Sequence, residues 1–215
     1  MARPNEVRPD EVERKLKMEY LYGQKDIYRR SLDGVQSLME QLREPQLDIK
    51  AMMQQVADLI ARQFWIREVT VGSKDPVDGK LKYDVASGLR EEARAALASI
   101  EYTERDFVNT GNYRGRSISK YTKLYLAEDM PYTDDEKGTF SRPILLQSRR
   151  RSLDECLEGD YFDIHILGER DRLLGWIETS GTRDGRFPDS VTMRWMELLA
   201  MILGAAMTKD NARRR

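Results

Sequence analysis

"LLGWIETSGTRDGRFPDS", from Leu173 to Ser190, changes character twice. Leu173, Leu174, Trp176 and Ile177 form an apolar, strand-like run, and Gly181, Asp184 and Gly185 then supply turn chemistry. Phe187-Pro188 leads to Asp189 and Ser190, either of which suits a helix N-cap. The helix they open carries Val191, Trp195, Leu198, Leu199, Ile202, Leu203 and Ala206 on one broad face. It is expected to end near Lys209, where a cation suits the negative end of the helix dipole. A strand, a glycine turn and a capped helix therefore follow one another here.

Upstream, "DYFDIHIL" (Asp160–Leu167) pairs with the Leu173–Ser180 strand across a short polar turn. Alternation sets Tyr161, Asp163 and His165 on one face and Phe162, Ile164 and Ile166 on the other. Which face meets a pocket depends on register, and both assignments stay open at this point. "IREVTVGS" ends at a glycine, and after the turns at Asp75-Pro76 and Asp78-Gly79 "KLKYDVASG" (Lys80–Gly88) makes its hairpin partner. "LREEARAALASIEY" (Leu89–Tyr102) has the composition of a short helix. A long stretch to about Arg142 follows, rich in Tyr, Gly and charge, with one expected strand over Arg116–Leu126. Connections of this length fold over a site or are mobile. Before the first strand, Asp48 caps a helix whose Ile49, Met52, Met53, Val56, Leu59 and Ile60 make a face wide enough to lie on a sheet. The order of elements predicts an α+β domain built on an antiparallel sheet, with helices at both ends.

Residues 10–43 contain no proline, and Met18, Leu21, Tyr28, Leu32, Val35, Met39 and Leu42 follow alternating steps of three and four, with Lys25 in the gap. This is a coiled-coil-like seam on a charged helix. A partner helix or the helix's own domain can bury so narrow a stripe, and the pattern alone leaves both open. The expected organisation is a signalling and dimerisation helix over 1–45, a domain over 46–209 and a disordered tail over 210–215. A homodimer is expected through Tyr28, Leu32, Val35, Met39 and Leu42, joined by Trp195, Leu199 and Ile202.

Composition excludes several classes. A net charge of -1 over 215 residues argues against a nucleic-acid binder, and the clusters Arg149–Arg151 and Arg213–Arg215 read as solvated loop and tail. The N-terminus has no apolar core of a secretory signal, and the run Leu198–Met207 is short of a membrane span. A cytoplasmic protein is expected. One cysteine, Cys156, permits no internal disulfide, and one histidine, His165, offers neither a metal set nor a triad. No enzyme activity, metal or identifiable cofactor is expected.

Gly159-Asp160 entering a strand, Leu174-Gly175-Trp176 within the next, and Asp184-Gly185-Arg186-Phe187-Pro188 before a final helix together resemble a GAF domain, the small-molecule sensor fold of signalling proteins. "YRGRSISKYTKLYL" resembles an upstream strand of the same family. The resemblance implies that the first and last domain helices cover one sheet face, while ligands sit on the other under the long connection. Cys156 is followed by Leu157 rather than the His of bilin-binding members, and it lacks the partner cysteine of the methionine sulfoxide reductases. The Asn-Lys-Phe-Asp-Glu pattern of cyclic-nucleotide binders is absent. Arg116, Ser119, Tyr121, Tyr161, His165 and Trp176 are the candidate ligand residues, for a small polar or anionic molecule. The implied function is a sensor module transmitting through the terminal helices of a dimer to a signalling partner; the alternative is a ligand-free interaction scaffold.

Overall fold

The structure, a computed structural model, describes residues 27–108, 113–130 and 132–213. Helix α1 spans Ile27–Gln41 and α2 spans Ile49–Gln63. As the sequence predicts, Asp48 caps α2, its Oδ1 accepting the Ala51 N–H at 2.9 Å. Strands β1 (Ile66–Lys74) and β2 (Leu81–Ser87) follow, then the short helix α3 (Glu91–Leu97), strand β3 (Glu101–Tyr102) and helix α4 (Glu104–Val108). Strands β4 (Arg116–Ser117) and β5 (Thr122–Tyr125) come next, with the single-turn helix α5 at Asp134–Lys137. Strands β6 (Tyr161–Leu167) and β7 (Leu173–Thr182) precede the final helix α6 (Ser190–Arg213). Among the described residues the strands form one sheet in the order β3-β2-β1-β7-β6-β5-β4, with every pairing antiparallel.

The α2 and α6 helices lie on one face of this sheet. Met52, Val56 and Ile60 from α2 and Leu199 and Leu203 from α6 meet Val69, Val71, Ile164, Ile166 and Ile177 in a continuous core. Burial of each such side chain contributes roughly 1.5–3 kcal/mol, which makes this layer the main stabilising element. Phe162, Ile164 and Ile166 point into it, so Tyr161, Asp163 and His165 belong to the opposite face, away from α2 and α6. On length and composition alone α6 is apolar enough to cross a membrane, but here its inward side, Met196 to Met207, is packed as core.

Four expectations change. The single strand expected over Arg116–Leu126 is a hairpin, because Ser119 Oγ accepts the N–H groups of Tyr121 and Thr122 at 3.0 Å each and turns the chain. The helix expected to reach Tyr102 stops at Leu97, and Glu101–Tyr102 instead extends the sheet beside Leu81 and Lys82. Helix α6 continues past Asp210 to Arg213, where a disordered tail was expected, because Lys209 ties this end to the carbonyls of Leu42 and Glu44.

The fourth concerns the seam. Leu38, outside the heptad, is fully buried, and Val35 and Leu42 pack on the domain's own core beside it. Leu32 and Met39, one stripe around the helix, are 56% and 49% exposed. Leu199 and Ile202 are buried in the domain's own core, and Trp195 packs at its edge. Leu199 and Ile202 are therefore not free to meet a partner. The side chain of Tyr28, and all of residues 1–26, lie outside the described residues.

Candidate functional site

On the open face the register stacks side chains in three rows. His165, Trp176, Gly72 and Tyr83 lie side by side across β6, β7, β1 and β2. The next row is Lys123, Asp163, Glu178 and Thr70, and the third is Tyr125, Tyr161, Ser180 and Glu68. Two carboxylates thus stand directly opposite each other, with Cβ atoms about 5 Å apart, between rows rich in aromatic rings. Two glycines make this packing fit. A Cβ on Gly72 would overlap the Trp176 ring, and a Cβ on Gly175 would overlap the Gly72 carbonyl, so each must be bare for β7 and β1 to close.

The described residues of segment 101–140 fold back over these rows and cover a partly open cavity of about 450 Å³. That volume suits a small ligand. Trp176 forms its apolar end, in edge-to-face or tilted contact with Tyr83, Phe107 and Tyr102 at centroid distances of 4.9, 5.0 and 5.9 Å. Tyr125 and Tyr161 stack at 4.5 Å on another side. The covering segment is pinned by Tyr132, whose hydroxyl donates to the Gly159 carbonyl at 2.6 Å, and by Tyr113, which donates to Glu136.

The floor is acidic. Burial raises the Asp163 carboxyl well above the usual range, and the neighbouring Glu178 raises it further. Burial also raises Glu178, to about 7, against the opposing effect of the Tyr83 hydroxyl that donates to it at 2.8 Å. Glu68 is shifted upward too, chiefly by burial. Asp163 is 5% exposed, yet its Oδ1 has no hydrogen-bond partner, and Thr70, 3% exposed, leaves Oγ1 equally unpaired. Native interiors rarely leave such atoms unsatisfied. His165 provides no counter-charge near neutral pH, because burial and the nearby Lys123 depress it to about 4.

Of the residues the sequence nominated, Tyr161 and Trp176 line this cavity. His165 is on the same face, but its ring packs on Phe107 at 6.0 Å. Arg116 points elsewhere and pairs with Asp129. Ser119 donates to Glu197 on α6, and Tyr121 packs against the helix-side core, so neither reaches the cavity. Arg116, the cation that the expected anion would have met, is therefore away from the cavity, whose floor carries Asp163 and Glu178 instead. The sequence reading missed Glu178, Thr70, Tyr83 and Tyr102. The signal was available for Glu178, a lone acid inside the apolar strand that opens the decisive stretch.

Arg150, read as part of a solvated loop, is a structural clamp. Its Nη2 donates to both oxygens of Asp160 at 2.9 and 3.0 Å, and its Nε reaches Glu128 at 2.9 Å. Asp160 is fully buried and also accepts the N–H groups of Ala127 and Leu157. This hub fastens the covering segment to the start of β6. Burial pushes the Cys156 thiol up to about 12, which disfavours the nucleophilic thiolate. Among the described residues no three His, Cys, Asp or Glu side chains group as metal ligands.

No protein-family model matches the sequence, and no curated protein matches it. Solved structures do match in shape. The GAF domain of a phosphoenolpyruvate-protein phosphotransferase from Coxiella burnetii is 15% identical, with a TM-score of 0.53, over 86% of this chain and 96% of that one. A GAF domain/HD domain protein from Geobacter sulfurreducens is 11% identical, with a TM-score of 0.51, over 78% and 95%. Residues 122 to 287 of a methyl-accepting chemotaxis protein are 14% identical, with a TM-score of 0.50, over 83% and 97%. At such identities the likeness speaks for architecture alone. That architecture, an antiparallel sheet with helices on one face and a covered cavity on the other, is the GAF fold.

Proposed function

We propose that the chain is a non-enzymatic sensor or regulatory module that binds a small molecule in the cavity beneath segment 101–140. The observation that carries this reading is the cavity itself: about 450 Å³, walled by aromatic rings, with the buried Asp163 Oδ1 and Thr70 Oγ1 left unpaired. Aromatic walls with a few convergent polar groups are what a small-molecule site requires. The shared fold with domains of a phosphotransferase and a chemotaxis protein is consistent with a regulatory role.

A route for output follows from β5. Lys123 and Tyr125 stand in the cavity-side rows, while Thr122 and Ser119 hydrogen-bond Glu197 on α6. A ligand that moves β5 acts on α6 through this contact. Exposed Leu32 and Met39 on α1, with Val191, Leu198 and Met201 on α6, supply apolar surface for a homodimer that reads such a shift. Native mass spectrometry of protein purified from cells tests the reading. A co-purified organic molecule is expected; a bare protein mass, with dimers intact, favours a ligand-free scaffold instead.

A further inference from the structure

We propose that the ligand is a small organic cation, its ammonium group seated against Asp163 and Glu178 and its apolar body held among Tyr83, Tyr102, Tyr161 and Trp176. This deepens the sensor reading and rests on it.

The walls of the cavity include Glu68, Asp163 and Glu178, and also Glu101, Asp106 and Glu136, with Arg105 as the only cation among them. Glu101 is already paired with Lys80 and Lys82, and Glu136 accepts from Thr133 and Tyr113. Of the central pair, Glu178 accepts the Tyr83 hydroxyl but has no cation among the described residues, and Asp163 has neither an ion pair nor a hydrogen bond at Oδ1. Lys123, the nearest cation in the same row, spends its ammonium on the Phe107 carbonyl, and no ion pair joins it to Asp163 among the described residues. A buried carboxylate without a partner is costly, and two facing each other are costlier. A cation between them removes both penalties.

The rest of the cavity selects the kind of cation. Hard metal ions take six or more oxygen ligands, and no ligand group of that kind is present among the described residues. The rings instead offer π faces and edges to a positively charged head and its carbon skeleton. Thr70 and Asp163 both line the cavity, and their oxygens supply the acceptors for the N–H groups of an amine.

Burial raises both carboxyls, so protonation competes with the cation for the pair. Affinity is expected to strengthen about tenfold between pH 6 and pH 8.

The test uses three probes of matched shape: phenethylammonium, 2-phenylethanol and 3-phenylpropanoate. Thermal shift and calorimetry are run at up to roughly 10 mM, where millimolar affinity registers. The cation alone is expected to raise Tm, and Asp163→Asn and Glu178→Gln are each expected to weaken it at least tenfold, with near-UV circular dichroism unchanged. Removing a buried charge favours folding, so both variants are expected to fold, and weakened affinity in at least one of them is required. Binding of the neutral or anionic probe as well as the cation, or a cation affinity unchanged in both variants, overturns the cation and leaves the ligand cavity standing. Failure of all three probes also overturns the proposal, and native mass spectrometry then judges the sensor reading independently.

Discussion

Glu178→Gln is expected to stabilise the empty protein at mildly alkaline pH and to leave it unchanged in acid. In the unfolded chain the carboxyl titrates near 4.5, whereas in the fold burial holds it at about 7. Between those values the folded state keeps a proton that the unfolded state has lost, so stability falls as pH rises. Above the folded value the penalty is complete. The gap corresponds to about 3 kcal/mol, and water reaching the partly open cavity reduces this to about 2 kcal/mol. Gln has nearly the same volume and retains an oxygen for the Tyr83 hydroxyl, so removal of charge is the main change. Urea unfolding is the assay. With a slope of about 2 kcal/mol per molar, the variant's midpoint should lie about 1 M above wild type at pH 8 and coincide with it at pH 4.5. Parallel pH profiles, or a variant less stable than wild type at pH 8, would refute the reasoning about the acid pair.

Arg150→Ala strips the fully buried Asp160 carboxylate of its cation and should cost about 3–5 kcal/mol in urea unfolding, with little rescue by Lys, whose single ammonium cannot bridge Asp160 and the Glu128 carboxylate as the guanidinium does. Gly72→Ala drives a methyl group into the Trp176 ring and should cost about 1–3 kcal/mol while shifting Trp fluorescence. Cys156 should resist alkylation by iodoacetamide at neutral pH and react at a normal rate only after unfolding, since its thiol is held at about 12. Leu32→Asp should weaken the homodimer in analytical ultracentrifugation without disturbing the core, because Leu32 is 56% exposed and touches little of its own domain.

The fold was legible because its signals are local. Asp48 as a cap, the alternation of β6 and the Gly175 gap in β7 each follow from residue type and spacing, and the structure uses each as read. The segment between α3 and β6 was not legible, because its order depends on distant partners. Asp160 and Arg150 meet across a loop, and Ser119 turns a hairpin inside what alternation alone reads as one strand. The site was half legible for the same reason. Tyr161 and Trp176 follow from their strands, but the meeting of Asp163 with Glu178 requires the β6–β7 register, and Tyr83 joins only through β1. Ser119, Tyr121 and Arg116 misled because parity along a strand is lost where a turn interrupts it.

A high-resolution crystal structure of protein purified without added ligand would show what the cavity beneath segment 101–140 holds. Density for an organic molecule is expected there, with a polar group within hydrogen-bonding distance of the Asp163 carboxyl and carbon atoms against Trp176. A cavity that holds only ordered water, or one closed by collapse of Tyr102 and Tyr132 onto the sheet, would contradict it.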